Sequence, residues 1–315
     1  MTDTAAAEAL RARSSVGLAG PPDAVLRITG ADRVSFLHRM VTCDVKGIPA
    51  GGTARGLFLT PKGKVLAEFL LAVLPDRVEM IAPSAAGPAL RSGFAKYLVA
   101  DDAAIEDRTV AAEVLSLVGP GAEAAVPAAA AAGGPLLLRR TRAGLPAVDL
   151  LVDAAGGPGL GAALEEAVRA AGGGPLGEEA LEILRVENGV PALGAEATEE
   201  TLPQECGLED LVSFTKGCFL GQEPVARLRT RGHTNRGLAG LLLEPGAPLP
   251  ARGDAVLAGG KEAGFATSAV VSPSLGRPVA LALLRHEHAA PGTGLLLRTA
   301  QGPVSCVVAG LPFVR

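Results

Sequence analysis

In the run Lys216-Gly217-Cys218-Phe219-Leu220-Gly221-Gln222-Glu223 one cysteine stands between a cation, two glycines and a carboxylate. A thiol acts as nucleophile or metal ligand only as thiolate, and a neighbouring ammonium together with a helix N-terminus lowers its pKa. Lys216 can supply the ammonium, and Pro224 suits the first turn of a helix whose free N–H groups supply the rest. Gly217 and Gly221 permit backbone conformations and close ligand approach that a β-carbon forbids. The same string also fits a glycine turn around a half-buried cysteine, since a free thiol is most often a small hydrophobe. Spacing alone leaves both readings standing.

The elements that must position this run alternate between strand and helix. Residues 24–28 read as a strand ending at Gly30, and 31–40 as a helix with Phe36, Leu37 and Met40 on one face. Residues 57–60 and 65–73 read as a hairpin around Lys62-Gly63-Lys64, followed by a strand over 77–82. The pattern predicts helices over 88–97, 160–171, 178–187 and near 205–212, and strands over 111–118 and 148–152. The Ala/Gly/Pro-rich stretch 119–134 reads as surface helix plus loop. From Gly237 onward short apolar runs recur between Pro/Gly turns, the pattern of an all-β barrel or sandwich.

Composition bounds the function. At 315 residues the chain exceeds what one core usually organises, so two or three domains are expected. A net charge of −4, with one Tyr and no Trp, offers neither a basic face nor stacking platforms, which argues against stable nucleic-acid binding. Cys43, Cys206, Cys218 and Cys306 are scattered without a C-x-x-C spacing, so neither a disulfide framework nor a structural metal site is expected. Residues 1–13 lack the continuous apolar core of a signal peptide, and 124–138 is broken by proline and glycine and falls short of a membrane span. A reduced, cytoplasmic protein without membrane contact is the expectation.

Weaker motifs have plainer explanations. Residues 157–162 lack the G-x-G-x-x-G spacing of a dinucleotide fingerprint and read as a strand-to-helix loop. His286-Glu287-His288 offers a partial metal shell with no third ligand and reads as a solvated turn. Lys62-Gly63-Lys64 reads equally as a charged hairpin tip or as a contact for an anionic ligand tail.

The signature resembles the K-G-C-[F/Y]-x-G-Q-E motif of the YgfZ family of folate-binding proteins, relatives of the glycine cleavage T-protein, an aminomethyltransferase. The resemblance extends through Leu202-Pro203-Gln204-Glu205 and Arg227-Leu228-Arg229-Thr230-Arg231-Gly232, and to Leu184-Arg185-Val186-Glu187-Asn188-Gly189, which looks like the L-R-x-E-x-G segment of the T-protein. Ile28-Thr29-Gly30-Ala31-Asp32, Thr42-Cys43-Asp44-Val45 and Leu59-Thr60-Pro61-Lys62-Gly63-Lys64 are similar to the family's opening.

The resemblance implies an α+β fold of three parts around a central folate pocket. These are a discontinuous first domain over 1–50 and 145–215, a second α+β domain over 51–144, and the signature followed by a barrel over 216–315. It implies tetrahydrofolate or a derivative as cofactor. Glu187 would take the pterin edge, because a carboxylate accepts two adjacent N–H donors as a fork. Arg185, Lys216, Gly217, Gln222, Glu223, Arg227 and Arg231 would support the pterin, the glutamate tail or the motif.

For function it implies assembly or repair of iron–sulfur clusters, with iron–sulfur client enzymes or assembly proteins as partners and tRNA thiomethylation affected indirectly. Cys218 would be the working residue, as nucleophile or transient cluster ligand. Two departures from the T-protein bear on turnover: Cys218 stands where the T-protein motif K-x-D-F-I-G has aspartate, and Ala89 falls at the catalytic aspartate of its N-A-S-x-x-x-K-D run. The other functions in play are a folate-dependent one-carbon transferase or demethylase, and a thiol-redox protein that lacks a second nearby cysteine.

Overall fold

A computed structural model describes residues 2–20, 23–126, 130, 134–153, 158–232 and 234–314, with the backbone alone for Pro158 and Arg231. The chain opens with helix α1 (Asp3–Ser14), capped by the Thr2 hydroxyl, which accepts from Ala5 N at 3.2 Å. Its alanines Ala5, Ala9 and Ala12 recur at helical spacing and are buried, so small residues let α1 lie close against α5 (Glu178–Glu187).

Strand β1 (Gly17–Ala19) then enters a five-stranded sheet with β7 (Ala112–Val118), β8 (Leu136–Arg142), β9 (Leu145–Asp153) and β10 (Gly174–Pro175), in the order β10-β1-β7-β9-β8. Between β1 and β7 the chain builds a second five-stranded sheet. It contains β2 (Asp23–Thr29), β3 (Thr53–Leu59), β4 (Val65–Val73), β5 (Val78–Pro83) and β6 (Ala104–Asp107), in the order β3-β4-β5-β2-β6. Helices α2 (Arg33–Met40) and α3 (Gly87–Tyr97) cover one face of this sheet through Phe36, Leu37, Leu90 and Phe94. The other face carries Val25, Leu70, Ala72 and Ile81 against Val114, Leu138 and Leu151 of the first sheet, a shared buried layer between the two domains.

This arrangement moves the expected domain boundaries. The insertion begins at β2 and closes with β6, whereas the resemblance implies 51–144; residues 23–50 therefore join the inserted domain, and 112–142 return to the first. The physical reason is strand length. With three residues in β1 and two in β10, neither shows a hydrophobic period, and periodicity does not say which sheet a strand will join.

After β9 come α4 (Pro158–Ala170) and α5, then a long connection to α6 (Gln222–Arg231). The helix expected near 205–212 forms only a single 3-10 turn, Glu209–Leu211; Gly207, at φ 76°, and Pro203 interrupt it. Residues 127–129, 131–133 and 157 of the expected 119–134 segment and 157–162 loop lie outside the described residues.

Strands β11 (Arg236–Leu243), β12 (Ala255–Ala258), β13 (Lys261–Ser272), β14 (Arg277–Arg285), β15 (Gly294–Thr299) and β16 (Gly302–Ala309) close into a barrel in the order β11-β14-β13-β12-β15-β16. Alternating residues such as Leu241, Val256, Ala280, Ala282, Leu297 and Val308 fill it. No helix among the described residues is long and apolar enough to cross a membrane.

Candidate functional site

The signature loop is built on the C-terminal end of α2. Lys216 is buried, and its ammonium donates to the backbone carbonyls of His38, Val41 (2.6 Å) and Cys43 (2.9 Å). Helix ends leave carbonyls without intrahelical partners, and a cation there satisfies them and complements the dipole. Leu220 N donates to Arg39 O at 3.0 Å, and Ser213 N to Thr42 O at 2.9 Å. The Thr42 hydroxyl, fully buried, donates to Leu211 O and accepts from Leu57 N, both at 2.7 Å.

Lys216 is thus not the activator of Cys218 that the spacing suggests; all three of its donors are taken by carbonyls. Burial pulls its pKa down to about 8, against the opposing pull of Cys43 and Asp44, so the ammonium remains the main form at neutral pH.

The second anchor is a glycine contact. Gly221, at φ 79°, caps α6, and a β-carbon on it would lie 2.4 Å from Thr60 O. Gly63, at φ 75° in the β3–β4 turn, faces it: a β-carbon there would meet Gly221 O at 3.2 Å and Val225 at 3.0 Å. Both positions require glycine for conformation and for clearance. The 202–205 segment closes the same assembly. Gln204 donates to Val225 O at 2.9 Å, and Glu205 pairs with Lys64 at 3.6 Å and with Arg236 at 3.3 Å. Sequence blocks some 150 residues apart, 59–64, 202–205 and 216–225, therefore meet at one place.

On this frame Cys218 is exposed, while Cys43, Cys206 and Cys306 are buried with their thiols pushed up to about 11, 12 and 11 by burial. The helix starts at Gln222, two residues before Pro224. Gln222 N closes a turn onto Phe219 O at 3.2 Å. Glu223 and Arg227 pair with each other at 2.8 Å on the solvent face of α6. Arg231 ends α6, and its side chain lies outside the described residues.

The α5 residues are elsewhere and differently held. Glu187 ends the helix fully buried, and its carboxylate accepts from Arg13 (2.7 Å), the Ser272 hydroxyl, Ser274 N (3.2 Å) and the Ser274 hydroxyl (3.1 Å). Its acceptor positions are filled by α1 and the barrel. Arg185 is also buried rather than part of a surface ion pair. Its guanidinium binds Glu182, Glu196 at 3.0 Å, Val190 O at 2.7 Å and the Ser268 hydroxyl at 2.6 Å.

Neither carboxylate nor guanidinium has a free edge for a pterin in this arrangement. A cavity of about 750 Å³ opens at the rim between the two sheets beside Arg27, Arg77, Glu79 and Arg108, and is lined by neither Glu187 nor the signature loop. Ala89 sits in the first turn of α3, half-buried, with no carboxyl to offer. No group of His, Cys, Asp and Glu among the described residues could hold a metal ion. His286 forms one 3-10 turn and shares a 2.6 Å hydrogen bond with Thr234.

Sequence reasoning missed Arg13, Ser272 and Ser274 around Glu187, and His38 and Thr42 beneath the loop. Only Thr42, inside the quoted Thr42-Cys43-Asp44-Val45 block, carried a signal.

Two α+β domains, one inserted in the other, and a closed barrel define a T-protein-like architecture. A crystal structure of the glycine cleavage system aminomethyltransferase T from Bartonella henselae superposes with a TM-score of 0.86, covering 98% of this chain and 89% of that one at 21% identity. The GCVT N-terminal domain model matches residues 1–133, and the glycine cleavage T-protein C-terminal barrel domain model matches 236–315. An aminomethyltransferase of Streptomyces avermitilis is 28% identical over 92% of this chain and 84% of its own length. One of Moorella thermoacetica is 33% identical over 57% of this chain and 49% of its own. Together these matches support membership of the T-protein family in the broad, aminomethyltransferase-like sense.

Proposed function

We propose that this protein binds a reduced folate and handles its one-carbon unit, as a folate-dependent one-carbon transferase of the aminomethyltransferase-like kind. The observation that supports this most is likeness along the whole chain: two domain models of one family, and relatives named aminomethyltransferase aligned over most of both lengths. In this reading Glu187 exchanges part of its present shell, the serine hydroxyls first, for the N–H pair of the pterin edge. Arg227 and Arg231 meet the glutamate tail.

A second reading rests on the exposed Cys218 and on Ala89. Without a carboxyl at position 89, the general acid–base assistance worth roughly 10²–10⁴ in rate is missing, while a solvent-facing thiol stands on a rigid frame. That pairing favours a folate-binding factor of the YgfZ kind, acting in the cytoplasm on iron–sulfur client proteins.

Calorimetric titration with tetrahydrofolate and its 5-formyl and 5,10-methylene forms, beside an assay for methylene-folate released from an aminomethyl-lipoyl donor, separates the two. Binding with release supports the transferase. Binding without release, together with loss of iron–sulfur enzyme activity in cells carrying only Cys218→Ser, supports the second reading. Absence of folate binding overturns both.

A further inference from the structure

Beneath the signature loop lies a histidine that no motif singles out. His38, on the last turn of α2, is 9% exposed. Its carbonyl receives the Lys216 ammonium, so the same residue that anchors the loop presents its ring to it. From the position a β-carbon would take on Gly217, the nearest heavy atom outside residues 216–218 is His38 Nε2, at 4.0 Å. That nitrogen has no protein partner among the described residues, and it faces the backbone immediately before Cys218. The other ring nitrogen is held: Nδ1 lies 3.3 Å from Asp44 Oδ1, with Lys46 N–H approaching the same atom at 3.4 Å.

We propose that His38 is the proton acceptor for the Cys218 thiol, oriented by Asp44. The inference rests on the reading of Cys218 as the working residue of the site. The S–H bond breaks, its proton passes to His38 Nε2 directly or through one water, and the electron pair stays on sulfur; the products are a thiolate and an imidazolium.

To accept at Nε2 the neutral ring must already carry its own proton on Nδ1, which directs Nδ1–H to the Asp44 carboxylate and excludes the Lys46 N–H as a donor to that atom. Gly217 matters here because any side chain would occupy the space between Nε2 and the loop. The charges facing the ring are Lys216 and Lys46, which oppose imidazolium, and Asp44, which supports it; burial opposes it most. The ring is therefore neutral and available as a base at neutral pH until a thiolate forms beside it.

The test is the pH dependence of Cys218 carboxamidomethylation by iodoacetamide in the full-length protein, followed by peptide mass spectrometry. The wild-type profile should show an inflection below the ordinary thiol range of about 8.5. His38→Gln should lose that inflection and react about tenfold or more slowly at pH 7. Asp44→Asn, at a half-exposed side chain, should shift the profile in the same direction by a smaller amount without touching the packing.

If His38→Gln fails to fold, Asp44→Asn alone decides: an unshifted profile overturns the proposal. Profiles of both variants identical to wild type overturn it as well. Because alkylation needs neither folate nor client, an unchanged profile with folate binding intact removes His38 only. Lost folate binding with the profile shift present removes the functional reading and leaves the proton relay.

Discussion

The signature loop and the end of α5 both carry motif residues, and they use their charges in opposite ways. At the end of α5, Glu187 and Arg185 are surrounded: each is fully engaged by side chains and carbonyls from α1, the barrel and the following segment. In the loop only the anchor is engaged. Lys216 gives all three protons to the end of α2, and Cys218, two residues on, faces solvent. Residue type therefore says little about chemical availability. What decides it is whether the neighbours leave a lone pair or proton unspent, because a buried charge with a complete shell cannot take a ligand without first giving up a partner.

The comparison breaks most visibly at its glycine hinge. Gly221→Ala places a methyl within 2.4 Å of a carbonyl oxygen and asks alanine to adopt φ 79°. A loss of about 3 kcal/mol in urea unfolding is expected, and a loss under 1 kcal/mol would show that the hairpin yields.

Lys216→Met leaves three carbonyls without their donor, so stability should fall by about 2–3 kcal/mol. Its pH signature sharpens the assignment. With the folded pKa near 8 and the ordinary value at 10.5, the unfolded chain holds a proton that the folded chain has released, so stability owed to this residue rises with pH between those values. The wild-type minus Lys216→Met difference in unfolding free energy should therefore increase from pH 8 to 10, and a flat difference would return the ammonium to an ordinary environment.

Glu187→Gln removes the charge that pairs Arg13 and offers a donor where Ser272 and Ser274 already donate. A cost of about 2 kcal/mol is expected, together with at least about tenfold weaker tetrahydrofolate binding by calorimetry. Stability lost with affinity retained would make Glu187 purely structural. At the far end of the scale, Arg227→Ala cuts a solvent-facing ion pair, and the unfolding free energy should stay within about 0.5 kcal/mol of wild type.

Much of this fold was legible. The barrel strands, the hairpin over 53–73 and the helices 87–97 and 178–187 follow periods of two and 3.6 residues that survive in the sequence. The two shortest strands, β1 and β10, carry no period, and so the domain boundaries were misplaced. At the site, the glycines were legible because a left-handed turn and a close contact admit little else. The role of Lys216 was not, since its partners are carbonyls of residues 38–43, and a backbone oxygen leaves no mark on residue type. His38 was silent for a related reason: it meets the loop only through the fold.

The insertion of one domain in another fixes an order of events during synthesis. Residues 23–107 hold all five strands of their sheet, so this unit can close as soon as it has emerged from the ribosome. β1 emerges earlier but pairs with β7 and β10, which are made some 95 and 155 residues later, and it must wait with both edges bare. In arrested nascent chains carrying residues 1–110 followed by a linker long enough to span the exit tunnel, amide exchange should be slow over β2–β6 and fast over 3–19. The same protection in both would mean that the amino terminus finds a temporary partner while the rest of its own domain is still being translated.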